Sequence, residues 1–149
     1  MRTILVIPKL KRETNYATAI RSAEAFGVTE LCFIGINEVP NYIKRGCIQT
    51  QKYIKTKFFE TNQDCINYLL KERISIICIE NSDDAQLITN FQFRPNTAFV
   101  MGMELGVADD FLNIGKHLKI PQFGTVHCLN TSIASSIVLY ERFKQNLRI

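Results

Sequence analysis

The chain has 149 residues, of which 46% are hydrophobic and 21% charged, and a net charge of +4. That length fits one domain able to bury roughly 68–70% of its unfolded surface. No apolar run approaches the ~20 residues of a membrane span and the first residues carry no signal-peptide pattern, so an intracellular, cytoplasmic protein without a membrane partner is expected.

In chain order, Ile4–Ile7 is a short β-branched apolar run, as in a strand covered on both faces. Pro8 to Thr14 reads as a basic loop. A helix follows from Asn15, its expected cap, with Tyr16, Ala19, Ile20, Ala23 and Phe26 at helical spacing, Arg21 off that stripe and Gly27 as its stop. Leu31–Ile34 is a second buried strand. Residues 36–53 read as a loop and Tyr53–Phe59 as a short strand. Ile66, Leu69 and Leu70 mark a helix over Asp64–Glu72, and Ile74–Ile79 gives the strongest central-strand signal. After a turn at Asn81–Asp84, Thr97–Met101 is a further strand, Asp109–Asn113 a short acidic helix, and His117–Ile120 leads into residues 120–141. There Asn130 or Ser132 can cap a helix over Ser132–Gln145 that is apolar on more than one side. Alternating buried strands and helices imply an α/β fold, a mostly parallel sheet with helices on both faces.

The charge is uneven. Residues 1–75 hold 12 Lys and Arg against 7 Asp and Glu, and residues 76–149 hold 6 against 7. Lys9, Lys11 and Arg12 form one basic group; Lys44, Arg45, Lys52, Lys55 and Lys57 form another. A solvated face and an anion-attracting, nucleic-acid-binding face both fit this pattern. Cys32, Cys47, Cys65, Cys78 and Cys128 have neither a CxxC pair nor ligand spacing, which favours buried free thiols and no metal. Histidine is the residue type suited to acid–base work near neutral pH, but packing or surface roles are expected for both His117 and His127.

Three stretches carry more. Asn15 and Arg21 precede Ala25-Phe26-Gly27; Phe99-Val-Met-Gly102-Met-Glu104-Leu-Gly106 runs from a strand into a Gly-bounded loop that is neither GxGxxG nor Walker-like; and residues 120–141 combine Ile120-Pro121, Gly124, Leu129-Asn130, a small-residue helix start and Tyr140-Glu141. Structure alone accounts for the first as a helix with an exposed Arg, and for the second as a strand-to-helix turn. The ordered set, however, resembles the three signature motifs of the SpoU (TrmH-like) RNA ribose 2′-O-methyltransferases of the SPOUT superfamily. Cys128 stands where Ser is usual, Thr131 where Val is usual, Ala17 where Gly is usual, and Gly106 follows Glu104 one residue early.

The resemblance implies a single SPOUT domain over residues 1–149 with a C-terminal trefoil knot, and S-adenosyl-L-methionine as cofactor. It implies Arg21, Asn15, Glu104, Asn130 and Cys128 at the catalytic centre, with Arg21 orienting the substrate and stabilising charge. It places the donor against Glu80, Met101, Gly102, Gly106, Ile120, Phe123, Leu129, Asn130, Ser132 and Ala134. It gives Lys9, Lys11, Arg12, Lys44 and Arg45 to RNA, tRNA before rRNA, since only RNA offers the 2′-hydroxyl. It also implies a homodimer in which the first and last helices pack between subunits. A catalytically weak RNA-binding relative and a generic nucleotide-binding α/β domain are the alternatives.

Overall fold

The computed structural model describes residues 1–39 and 53–147. Lys44, Arg45, Lys52 and Cys47 therefore lie outside the described residues, with most of the expected 36–53 loop.

Seven parallel strands, β1 (Arg2–Ile7), β2 (Glu30–Ile34), β3 (Lys55–Phe59), β4 (Ser75–Ile79), β5 (Gln86–Leu87), β6 (Asn96–Val100) and β7 (Lys116–Lys119), form one sheet in the order β3-β2-β1-β6-β4-β7-β5. Alternation along β1 divides the core. Leu5 and Ile7 join α1 (Glu13–Ala25) and α4 (Thr131–Asn146) on one face; Ile4 and Val6 join α2 (Asn62–Lys71) and α3 (Asp109–Leu112) on the other. Strands buried on both sides are what the continuous apolar runs required. Among the described residues no helix is long and apolar enough to cross a membrane.

The first helix starts earlier than its sequence suggests. Arg12 takes the cap position without a side-chain cap bond, and Glu13 supplies the negative charge that favours a helix start. Asn15 thus sits inside the first turn, its side chain free for another partner. The helix of residues 62–71 begins on Thr61, whose hydroxyl accepts from the Asp64 backbone N–H at 3.2 Å and donates to the Asp64 carboxylate at 2.6 Å. Asn130 caps α4, its Oδ1 accepting from the Ser132 backbone N–H at 2.9 Å and the Ser132 hydroxyl at 2.6 Å.

The first and last helices lie against each other through small residues. Ser22 and Ser136 share a hydrogen bond of 2.6 Å, and Phe26 meets Tyr140 edge to face at 5.9 Å. At the amino end of the sheet the carboxylate of Glu30, only 2% exposed, is held by Arg2 at 3.2 Å and by the Tyr68 hydroxyl at 2.5 Å. Arg2 also reaches Glu72 at 2.7 Å. Burial and the Glu30 carboxylate raise the Tyr68 pKa, while Arg2 lowers that of Glu72. Every charge in this cluster has a partner of opposite sign or a hydroxyl donor, as burial requires.

Candidate active site

The carboxyl ends of β4, β6 and β7 converge on a cavity of about 330 Å³. In open parallel sheets ligands bind in the crevice outside these strand ends. The walls follow the three strands in turn: Ile79 to Asn81, Met101 to Gly106, and Lys119 to Gln122, with Cys128, Leu129, Thr131 and Ala134 closing from the start of α4.

Backbone shape makes the second wall. Met103 and Gly106 exchange backbone hydrogen bonds of 3.0 and 3.1 Å, folding Gly102–Gly106 into a tight hairpin with exposed Glu104 and Leu105 at its tip. Gly106 has φ 94°, a conformation that side chains with a Cβ resist. A Cβ there would also meet the Glu80 carboxylate at 2.6 Å, and one at Gly102 would meet the Gly106 backbone at 2.9 Å. Glu80 pins the hairpin by accepting from the Val107 backbone N–H at 2.7 Å and from the Asn81 backbone N–H at 3.2 Å. From the other side the Thr131 hydroxyl donates to the Gly102 carbonyl at 2.8 Å.

Glu80, Met101, Gly102, Gly106, Ile120, Leu129 and Ala134 line this cavity together with Glu104 and Cys128. Asn130 and Ser132 stand just behind that lining as the cap of α4, and Asn130 Nδ2 donates to Asn15 Oδ1 at 3.1 Å. That bond brings the first and third motifs together. Arg21 lies on the exposed side of α1 and Phe123 is 99% exposed, both outside the lining. The sequence reading of Cys128 as a buried thiol is corrected: it is exposed, whereas Cys32, Cys65 and Cys78 are buried. Below the cavity, burial and then the Glu80 charge push the Cys78 thiol up to about 12. His127 lines the cavity, and its carbonyl accepts from the Asn81 side chain. His117 points elsewhere, its Nε2 2.8 Å from the Leu112 carbonyl and its Nδ1 3.4 Å from Asp84.

Sequence reading missed Gln122, Asn81, Lys119 and Thr131. Gln122 Oε1 is buried against the cavity with no protein partner. Lys119 Nζ lies against the Ser82 carbonyl at 2.8 Å. Only the position of Gln122 and Lys119 around Ile120-Pro121 could have signalled them.

A second, mostly apolar cavity of about 130 Å³ opens at the ends of β1, β2 and β6, with Pro8, Lys9, Gly35, Asn62, Ala108 and Phe111 in its walls. Met101, Met103 and Gly106 belong to both cavities, so the hairpin is the partition between them. Lys11 and Arg12 are exposed on the same loop as Lys9.

Known proteins resemble this chain in sequence and in fold. The tRNA (guanosine(18)-2′-O)-methyltransferase of Escherichia coli (strain K12) is 26% identical over 133 residues, covering 88% of this chain and 58% of that enzyme. The enzyme of the same description from Aquifex aeolicus (strain VF5) is 28% identical over 147 residues, 95% of this chain and 69% of its own length. The chain thus spans less than two thirds of the first of these relatives. The crystal structure of the SpoU methyltransferase AviRb from Streptomyces viridochromogenes in complex with AdoMet superposes with a TM-score of 0.87 at 19% identity, covering 99% of this chain and 61% of that one. The model of the SpoU rRNA Methylase family matches residues 2–140, nearly the whole chain, and the protein belongs to that family.

Proposed function

We propose that this chain transfers a methyl group from S-adenosylmethionine to a ribose 2′-hydroxyl of RNA, tRNA in preference to rRNA. The observation that carries the reading is the 330 Å³ cavity itself, built by the motif residues at three strand ends. Its volume is at the lower end of the ~300–1,000 Å³ of small-molecule sites. Its contents suit the donor: a tight glycine hairpin with no room for a Cβ at Gly102 or Gly106, apolar walls from Ile79, Ile120 and Leu129, and the Gln122 amide in the lining. The tRNA preference draws on the E. coli and A. aeolicus relatives.

The donor supplies an already activated methyl group. The protein's task is then to hold the ribose hydroxyl in line with it and to ease loss of the hydroxyl proton. Alignment of two reactants is worth ~7–11 kcal/mol of barrier. The Glu80-pinned hairpin and the Asn130 cap give the rigid frame that alignment needs. Glu104, at the hairpin tip, is the carboxylate available at the cavity mouth. Arg21 orients ribose and phosphate with its planar, two-pronged fork and stabilises charge there.

Arg21 stands away from its own chain's cavity, which supports a second copy completing the site. Along α4, Ile133 (47%), Ile137 (37%), Tyr140 (53%) and Phe143 (38%) keep apolar surface exposed at helical spacing. Such a stripe is suited to pairing with the same stripe of a second chain. Lys9, Lys11 and Arg12 meet the RNA backbone.

The reading is tested with labelled donor and unmodified tRNA and rRNA transcripts. Methyl incorporated at a ribose of tRNA by a dimer, and lost in Arg21→Ala with donor affinity kept, is the expected result. Donor binding without transfer to either RNA would leave only the catalytically weak relative.

A further inference from the structure

We propose that the second cavity receives the base of the very nucleotide whose ribose is methylated. This rests on the reading of the first cavity as the donor site. A nucleotide's 2′-hydroxyl and its base hang from the same sugar. A receptor for the base must therefore abut the place where the methyl is delivered, within the width of one ribose. The 130 Å³ cavity adjoins the donor cavity, with Met101, Met103 and Gly106 in the lining of both and the single hairpin Gly102–Gly106 between them.

Its chemistry fits a base presented by its faces. The lining is apolar, with the thioethers of Met101 and Met103 on the side of the partition, and sulfur packs well against aromatic rings. Polar groups sit only at Lys9 and Asn62. Asn62 Nδ2 is already committed to the Asp110 carboxylate at 3.1 Å, which leaves its Oδ1 as an acceptor for a base edge. Charge orients the nucleotide. Asp109 and Asp110 are exposed on the α3 side and repel phosphate, while Lys9, Lys11 and Arg12 on the β1 side attract it. The base would then enter between two oppositely charged rims with its phosphates toward the basic one. Receiving a base this way needs it unstacked, as in loops rather than in helical RNA. An apolar slot with one amide acceptor selects little among the four bases, so sequence choice would come from elsewhere on the RNA.

The chain has three methionines, two of which form the partition, so methyl-labelled methionine gives a three-signal NMR report. With the first cavity saturated by S-adenosylhomocysteine, 5′-nucleoside monophosphates at millimolar concentration are expected to shift the Met101 and Met103 signals and leave Met1 unmoved. Ala108→Leu, which fills the second cavity, should abolish those shifts and raise the KM for tRNA about tenfold or more, with S-adenosylhomocysteine affinity unchanged. Should Ala108→Leu lower the melting temperature sharply, Lys9→Gln replaces it, with weaker tRNA binding and a salt slope reduced by about 1. Unmoved methionine signals with all four nucleotides, or unchanged tRNA kinetics in both variants, would overturn the proposal while the donor reading stands. Failure of S-adenosylhomocysteine to bind at all would sink the donor reading and this proposal with it.

Discussion

Asn130 donates from Nδ2 to Oδ1 of Asn15 across 115 positions of sequence, at 3.1 Å. One side chain thereby caps the last helix and ties it to the first turn of the first helix, since its Oδ1 also accepts from the Ser132 backbone N–H. Loss of a cap costs ~0.5–2 kcal/mol. Asn130→Ala should lower the melting temperature by several degrees, at ~2–4 °C per kcal/mol for a domain of this size. Asn15→Ala, which removes only the tie, should lower it less. A thermal melt of the two variants and their double mutant checks this, and additive losses would show that the bond carries no coupling.

The hairpin should not accept a methyl group at either glycine. In Gly106→Ala the φ of 94° and a Cβ 2.6 Å from the Glu80 carboxylate act together. In Gly102→Ala the obstruction is backbone, 2.9 Å away, and cannot swing aside. Calorimetric titration with S-adenosylhomocysteine should show at least tenfold weaker binding for both, about 1.4 kcal/mol or more. Wild-type affinity in Gly102→Ala would mean that the partition is softer than its hydrogen bonds imply.

Gln122 should read the purine of the donor. Its buried Oε1 has no protein partner, and an amide can meet the amino group and neighbouring ring nitrogen of adenine together. A missing partner for a buried group costs ~1–3 kcal/mol. Wild type should therefore prefer S-adenosylhomocysteine by up to about tenfold over the analogue whose purine lacks the 6-amino group, and Gln122→Leu should narrow that gap. An equal preference in Gln122→Leu places the discrimination on other groups.

Cys128 should be the described thiol that reacts first. It is exposed at the cavity, whereas the Cys78 thiol, held up near 12, is buried. Reaction requires the thiolate and access. Peptide mapping after brief iodoacetamide treatment should find Cys128 modified before Cys78, and S-adenosylhomocysteine should slow the reaction. Cys128→Ser should keep or raise methyl transfer within a few-fold; complete loss with donor binding intact would make this a cysteine-dependent enzyme.

Acid should weaken the amino end of the sheet. Arg2 holds the Glu72 carboxyl below its ordinary range, so ionised Glu72 favours the folded chain above its unfolded pKa. That contribution is lost as pH falls through the depressed folded value. Glu72→Gln should thus melt below wild type near neutral pH and converge with it as acid protonates Glu72 in the folded chain as well. A gap that persists at low pH assigns the effect to packing.

Much of the frame could be read from residue order. Apolar runs located β1, β2, β4 and β6 to within a residue or two, and the Asn130 cap and the parallel sheet follow from local rules. Strand β7 was legible only through Pro121, which ends the incoming strand, because Lys116-His117-Leu118-Lys119 has one buried apolar side chain, though it pairs on both edges. Its strand character comes from neighbours, which periodicity cannot see. The two-residue strand β5 was hidden for the same reason. Motif order pointed to Gly102, Gly106, Leu129 and Ala134, which line the cavity, but the places of Thr131, Asn81 and Gln122 arise from hydrogen bonds, or the lack of one, between segments distant in sequence.

Among the described residues, the walls of the larger cavity all come from the second half of the chain, starting at Ile79 and closing only with Ala134. During synthesis from the amino end, the growing polypeptide can form β1, β2 and α1 early. It lacks a wall until the strands of residues 96–100 and 116–119 insert on either side of β4. Interrupted translation products ending before the last helix would carry the basic loop of residues 9–12 but no complete cavity and, on the proposed function, no place for the methyl donor.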